Sequence, residues 1–146
     1  MSPAPGGPPG RAALAHPGAG GFECLAGLYV LIVDADGPTA QLLATIVEYC
    51  GGWAATAATP DAAEHLLRYV TPHLLVIATP ARGVAGVPTG VPALALTADR
   101  TEDGRARALA AGFRDVLTKP VDLREFSRTV ARLARGPAAD RRAPAP

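Results

Sequence analysis

Two carboxylates stand where an apolar run gives way to polar residues, and their position suggests chemistry. Asp34 and Asp36 follow the run Tyr29–Val33, and Thr97 and Lys119 follow two further apolar runs. Carboxylates supply the oxygen ligands that Mg²⁺ requires, but two carboxylates without a third acid make a poor Mg²⁺ site in water. What these side chains can do together therefore depends on the elements that position them.

The strands are predicted from short runs of apolar residues. Tyr29–Val33 is continuously apolar, as expected for a strand buried on both faces of a parallel sheet. Further strands are predicted at 53–58, 74–77, 93–96 and 116–118. Because parallel strands gather binding groups at their carboxyl ends, Asp34, Asp36, Thr97 and Lys119 are expected at one edge of the sheet.

Helices are predicted between and after these strands. Leu42, Leu43, Ile46, Val47 and Cys50 are expected on one buried helix face. Thr59 with Pro60 begins a second helix, and 102–111 forms an alanine-rich third. Asp122 and Glu125 form a capping box that opens a last helix. The alternation of strands and helices predicts an α/β fold with a parallel sheet.

Composition sets the limits of the folded part. Residues 1–22 and 136–146 are rich in Pro, Gly and Ala, and both segments are predicted to be disordered, which leaves one domain at 23–135. The net charge of +1 provides no global field for nucleic acid or an anionic membrane. Neither a signal peptide nor an apolar run long enough to span a membrane is present, so a cytoplasmic protein is expected.

The last helix carries a row of basic residues, Arg124, Arg128, Arg132 and Arg135. We interpret the row as a solvated helix face, and the alternative is a docking patch for an acidic partner. Nucleic-acid binding is not expected, because no aromatic stacking positions or recognised reading motif accompany the row.

Three motifs, VLIVDAD, LALTA and LTKP, stand in this order at the predicted strand ends. Together they resemble the receiver domain of two-component response regulators, and the resemblance covers about residues 27–135. It implies a flavodoxin-like, doubly wound five-stranded parallel sheet with strand order 2-1-3-4-5. In that family an acidic pair after strand one and an aspartate ending strand three hold Mg²⁺, and the latter aspartate accepts a phosphoryl group. Thr97 and Lys119 match the positions that bind the phosphoryl oxygens.

Two positions depart from the family pattern. Ala35 stands where the main metal-binding acid belongs, and Ala78 stands where the acceptor aspartate belongs. A methyl group neither attacks phosphorus nor binds a metal, so no catalytic residue, phosphoacceptor, metal or other cofactor is expected. Asp34, Asp36, Thr97 and Lys119 would form a vestigial phosphoryl pocket. In it Asp34 is expected to pair with Lys119, and Asp36 is expected to cap the first helix.

The connection between strands three and four also differs from the family. Residues 79–90 contain two prolines and three glycines, so the family's third helix is expected to be lost or shortened. That loss would leave part of one sheet face uncovered, which suggests a protein interface or a dimer contact there.

The predicted function is that of a degenerate stand-alone receiver in two-component or phosphorelay signalling. It would act by phosphorylation-independent contact with a histidine kinase, a response regulator, another signalling protein or a second copy, and not as an enzyme. Two alternatives remain open. One is a phosphoacceptor displaced to Asp36 or Asp34, and the other is a small-molecule sensor that uses the vacated pocket.

Overall fold

Five parallel strands form the single sheet of the computed structural model, which describes residues 21–78 and 90–142, the side chains of 136–142 excepted. The strands are β1 (Tyr29–Val33), β2 (Trp53–Ala57), β3 (Leu74–Ala78), β4 (Ala93–Thr97) and β5 (Asp115–Thr118). Their order in the sheet is β2-β1-β3-β4-β5. The predicted doubly wound α/β fold and its strand order are therefore confirmed.

Helices cover both faces of the sheet. They are α1 (Gly37–Tyr49), α2 (Pro60–Leu67), α3 (Glu102–Ala110) and α4 (Leu123–Arg142). Thr59 caps α2 as predicted, since its hydroxyl accepts the Ala62 N–H at 3.1 Å. Asp122 Oδ1 accepts the N–H of Glu125 at 3.0 Å and so begins α4 at the predicted place.

The alternation of side chains along the strands produces two cores. On β1, Val30 and Ile32 face the core that contains α1 and α4, whereas Leu31 and Val33 face the core that contains α2 and α3. Residues 30–33 are all buried in this way, which explains the uninterrupted apolar sequence of the strand.

One residue of the predicted stripe on α1 was placed wrongly. Leu42 is 48% exposed, and the buried residues of the helix are Ala40, Leu43, Ala44 and Val47. Each of these four positions lies three or four residues from another of them, so they share one face of the helix. Two of them are alanines, which gave the inward face a weak apolar signal in the sequence. Leu42 is thereby left on the surface beside the carboxyl edge of the sheet.

Before β1 the chain packs along the last helix, and we name residues 21–26 the strap. Arg135 donates hydrogen bonds to the carbonyl oxygens of Cys24, at 3.0 Å, and Ala26, at 2.8 Å. The Glu23 N–H donates to the Ser127 hydroxyl at 3.0 Å. Within the strap, Leu25 is fully buried in the core of α1 and α4. The strap is thus fixed both by hydrogen bonds and by burial.

The N-terminal end of the strap contacts the first turns of α4. The Gly21 carbonyl accepts a hydrogen bond from Arg128 at 3.3 Å. The Phe22 ring lies under the Arg124 guanidinium, at 5.2 Å from the ring centroid, and meets the Tyr49 ring edge-on at 5.6 Å. Contacts with the folded part therefore begin before residue 23, where the sequence placed the start of the domain.

Other boundary predictions fall at the edges of the described residues. Residues 1–20, 79–89 and 143–146 lie outside them, so the predicted loss of the third helix and the predicted flanking interface lie outside them as well. The backbone of α4 extends to Arg142, although the sequence placed the tail from Gly136 onward. Among the described residues, no helix combines the length and the apolar character that a bilayer crossing requires.

Candidate functional site

The carboxyl ends of the strands bring the predicted site residues to one edge of the sheet. Asp34 directly follows β1, Ala78 ends β3, Thr97 ends β4 and Lys119 follows β5. Since β1 is the neighbour of β3 and β4 lies between β3 and β5, these positions line one side of the sheet.

Asp34 and Lys119 form the predicted ion pair. Asp34 is 5% exposed, and its Oδ2 atom lies 3.0 Å from Lys119 Nζ. The alignment of the two groups does not meet the geometry of a hydrogen bond, and Oδ2 has no hydrogen-bond partner among the described residues. The ammonium therefore balances a buried charge chiefly as a nearby point charge.

The other Asp34 oxygen organises the start of α1. Asp34 Oδ1 accepts the Asp36 N–H at 2.8 Å, and the Asp34 N–H donates to the Ala57 carbonyl at 3.0 Å. These bonds fix the turn that leads from β1 into the helix. Asp34 therefore has a structural role that needs no bound metal.

Asp36 occupies the N-cap position of α1 but does not cap with its side chain. Its carboxylate makes no hydrogen bond to the backbone of the helix, and Oδ2 accepts the Thr39 hydroxyl instead. The prediction of a cap is correct in position and wrong in mechanism. The reason is that Thr39 supplies a donor close enough to compete with the backbone N–H groups of the first turn.

Thr97 contributes its hydroxyl to the loop after β4. Its side chain is nearly buried, and Oγ1 accepts the Asp99 N–H at 3.0 Å. The Thr97 carbonyl accepts the Lys119 N–H at 2.8 Å, so the backbones of the two residues are directly joined.

Two acids near this edge are engaged with helix starts. Hydrogen bonds from the hydroxyl and the N–H of Thr101 hold the pKa of Asp99 below its usual range, with Arg107 adding to the effect. The Glu125 N–H does the same for the pKa of Asp122. Among residues 21–78 and 90–142, no three His, Cys, Asp or Glu side chains gather in a way that could hold a metal ion.

A groove that the sequence did not reveal opens beside Lys119. It lies between α1 and the β5–α4 connection and has a volume of about 380 Å³. Its lining includes Leu42, Leu43, Lys119, Pro120, Val121 and Leu123. The Lys119–Pro120 peptide bond is cis. The groove escaped prediction because it exists only where two elements distant in sequence meet, and the sequence analysis had placed Leu42 on the buried face of its helix.

Four arginines of α4 are exposed, as a solvated face requires, yet they also bind within the chain: Arg124, Arg128, Arg132 and Arg135. Arg128 and Arg135 hold the strap, and Arg132 bonds to Asp115 Oδ2 at 2.6 Å. Arg105 of α3 donates to the other oxygen of Asp115 at 3.2 Å. A docking patch for an acidic partner would have to compete with these contacts.

Comparison with known proteins gives one relative of similar length. The chain is 39% identical, over 120 residues, to an uncharacterized 14.6 kDa protein in the sodA1 3′ region of Leptolyngbya boryana, and the match covers 75% of this chain and 92% of that protein. No family model matches the chain.

Several solved structures with the same fold are receiver domains of response regulators. The receiver domain of the Francisella response regulator 1452 superposes with a TM-score of 0.68 at 24% identity, over 75% of this chain and 98% of that one. A response regulator receiver protein from Burkholderia phymatum superposes with a TM-score of 0.64 at 26% identity, over 73% of this chain and 94% of that one.

Proposed function

We propose that this chain, which belongs to one family with the Leptolyngbya boryana protein and has the receiver-domain fold of response regulators, is a signalling receiver that works without phosphorylation. It acts by binding another protein of a two-component or phosphorelay pathway in the cytoplasm, or a second copy of itself. It is not an enzyme, and its partner is a histidine kinase, a response regulator or another signalling protein.

The observation that carries this proposal is the pair of alanines at the strand ends. Ala78 is the last residue of β3, and Ala35 follows Asp34 directly. Acyl phosphate formation needs a carboxylate nucleophile and a cation that screens the repulsion between anions, and a methyl group supplies neither. Phosphotransfer at this site would require a carboxylate at both positions.

The ion pair gives the proposal further support. Lys119, which would stabilise a phosphoryl group, already balances the buried carboxylate of Asp34 at 3.0 Å. An incoming anion would have to draw the ammonium away and leave Asp34 buried without a counter-charge, which is costly. The site is therefore suited to a single, fixed state.

A displaced phosphoacceptor is the first alternative, and the structure distinguishes its two candidates. Asp36 is exposed, whereas Asp34 is buried and paired. An attacking carboxylate must be accessible to the phosphodonor, which favours Asp36. This alternative predicts Mg²⁺-dependent modification of the chain that is lost in Asp36→Asn.

The second alternative is a small-molecule sensor that uses the vacated pocket between Asp34, Ala78, Thr97 and Lys119. The groove beside Lys119 has only that lysine in common with the pocket. A ligand that binds only the folded state raises the melting temperature, and the shift grows with the logarithm of the ligand concentration above the dissociation constant. Anionic metabolites that stabilise the wild-type chain but not Lys119→Ala would support this function over a purely protein-binding one.

Intact mass measurement tests the proposal. The wild-type chain and the double variant Ala35→Asp with Ala78→Asp are each incubated with Mg²⁺ and acetyl phosphate. We expect no mass change for the wild type and the gain of one phosphoryl group for the double variant, because the replacement restores both the nucleophile and the metal ligand. Phosphorylation of the wild-type chain would reject the proposal, and mapping the modified residue would then identify the acceptor.

A further inference from the structure

We propose that β2, at one edge of the sheet, pairs with β2 of a second copy of this chain. The two strands run antiparallel about a twofold axis at Ala55 and join two five-stranded sheets into one continuous sheet. The pairing rests on the proposed function in one respect, because a second copy is among the partners named there. It does not depend on whether the chain accepts a phosphoryl group.

Backbone groups of β2 are left open on the side away from β1, with which alone it pairs among the described residues. The Trp53 N–H donates to the Leu28 carbonyl at 2.8 Å, and the Ala57 carbonyl also accepts on the β1 side. Because the backbone groups of successive strand residues point to opposite sides, those of Ala54 and Thr56 point away from β1. Their N–H and C=O groups form an edge that a further strand can bind.

The two edges of the sheet differ in how they are protected. Edge strands of monomeric proteins commonly carry charged side chains, prolines or bulges that prevent pairing. The other edge strand, β5, begins with Asp115, which binds Arg105 and Arg132. In contrast β2, with the sequence WAATA, has no charge and no proline, and its register with β1 runs without a bulge. The edge at β2 is therefore the one open to another strand.

The sequence of β2 is complementary to itself in an antiparallel pair. With Ala55 opposite its own copy, Ala54 lies opposite Thr56 of the second copy, and each of these residues exchanges both of its backbone hydrogen bonds with the other. The small side chains allow the close approach of two strands, and no like charges meet at the axis. A shift of one residue would place the open groups opposite residues that are already bonded to β1.

Trp53 supplies an apolar driving force for this pairing. It is the one tryptophan of the sequence, and it is 54% exposed. In the proposed pair it stands opposite Ala57 of the second copy, whose methyl group leaves space for a large ring. Burial of the indole removes apolar surface from water, and tryptophan is enriched at protein interfaces. An uncharged strand with matching open groups thus fits a second copy better than it fits a charged partner.

Light scattering of the full-length chain over a range of concentrations tests for the dimer. We expect the mass to double between about 10 µM and about 1 mM, since two short strands form a small interface of low affinity. The fluorescence of Trp53 should shift to shorter wavelength over the same range, because the ring leaves water.

Amide hydrogen exchange identifies the residues that pair. When about 90% of the chain is dimeric, the N–H groups of Ala54 and Thr56 should exchange about tenfold more slowly than in dilute solution, because only the free chain exposes them. The N–H groups of Trp53 and Ala55, which point to β1, should be equally protected at both concentrations. Contact through a helix face would not produce this alternation.

Variants at two positions separate this edge from the rest of the surface. Thr56→Pro removes an outward N–H without removing a bond to β1, so it should abolish the dimer and leave the circular dichroism unchanged. Thr56→Val keeps the N–H and should dimerise as the wild type does. Trp53→Ala should raise the dissociation constant at least about tenfold. Leu109→Ala, which truncates a 40% exposed leucine on α3, should leave it unchanged.

Three results would overturn the inference. The first is the mass of a single chain at every concentration. The second is a dimer that persists in both Thr56→Pro and Trp53→Ala, which would assign the contact to another surface. The third is a concentration dependence of exchange that does not distinguish Ala54 and Thr56 from Trp53 and Ala55. None of these results bears on phosphotransfer, which the intact mass measurement tests separately.

Discussion

The carboxyl edge of the sheet and the strap on α4 show opposite uses of charged residues. At the sheet edge, the Lys119 ammonium balances the buried Asp34 carboxylate beside two alanines. Along α4, Arg128 and Arg135 each bind backbone carbonyls of residues 21–26. The charged side chains of the sheet edge thus bind each other, whereas the arginines of a helix face that resembles a docking patch in sequence hold the chain's own backbone.

The largest effect is expected where the end of α1 meets the connection from the strap to β1. A Cβ atom on Gly52 would stand 2.9 Å from the Leu25 carbonyl oxygen, 3.0 Å from that of Leu28 and 3.0 Å from Val47 Cγ1. Since two of these atoms belong to the backbone, Gly52→Val should lower the free energy of unfolding by about 3 kcal/mol. Urea unfolding measures this loss of unfolding free energy. Gly37→Ala is the control, because nothing lies within 4 Å of a Cβ at that position, and a comparable loss there would refute the steric explanation.

The ion pair at the sheet edge should give the next largest effect. Lys119→Met leaves the Asp34 carboxylate buried without a counter-charge, and we expect a loss of about 2 kcal/mol after allowance for the partial exposure of the lysine. The double variant Asp34→Asn with Lys119→Met should recover most of this loss, because a neutral amide needs no counter-charge. Chemical denaturation of the wild type, Lys119→Met and the double variant measures these differences in unfolding free energy. A Lys119→Met variant as stable as wild type would show that the pair has no structural role.

Loss of the strap's hydrogen bonds should have a smaller effect. Arg135→Ala removes two hydrogen bonds to carbonyl oxygens at the surface, and we expect a loss of about 1 kcal/mol. Amide hydrogen exchange should rise within residues 21–26 and stay unchanged in β4. Arg114→Ala, the loss of an exposed arginine outside α4, serves as the control; a strap that remains equally protected in Arg135→Ala would assign its stability to the burial of Leu25 alone.

Acid should weaken one contact of α4 and spare the strap. Burial alone would raise the pKa of Asp115, but hydrogen bonds from Arg132, the Val116 N–H and Arg105 outweigh it and hold that pKa below its usual range. Its contribution, about 0.5 kcal/mol in this solvent-screened setting, is complete above about pH 4 and is lost as the pH falls through the lower folded-state pKa.

The pH dependence of the unfolding free energy checks this assignment. Asp115→Asn should flatten the acid limb of the profile, while Arg135→Ala should shift the whole profile without changing its shape, because carbonyl acceptors do not titrate. An acid limb that is unchanged in Asp115→Asn would assign the dependence to other carboxylates, such as Asp99 and Asp122.

The sequence was sufficient to predict the sheet and one contact of the site. Continuous apolar runs mark buried parallel strands, and strand ends with opposite charges led to the Asp34–Lys119 pair. The sequence was insufficient to predict the strap, because the arginines bind its backbone carbonyl oxygens. Every residue has such an oxygen, so no residue type indicates where the contact will form. Leu42 was also misplaced, because alanine on the inward face of α1 weakened the apolar signal that sets the orientation of the helix.

The strap also constrains how the chain is made. Its hydrogen bonds join residues separated by 104 to 111 positions, almost the full span from the first contact to the last helix. A ribosome releases the chain from its N-terminus, so residues 21–26 emerge long before α4 and must wait for that helix before they find their partners. Closing so long a loop is entropically unfavourable until most of the sheet has formed. Attachment of the strap is therefore a late event in biosynthesis, and it marks the point at which the nascent domain is complete.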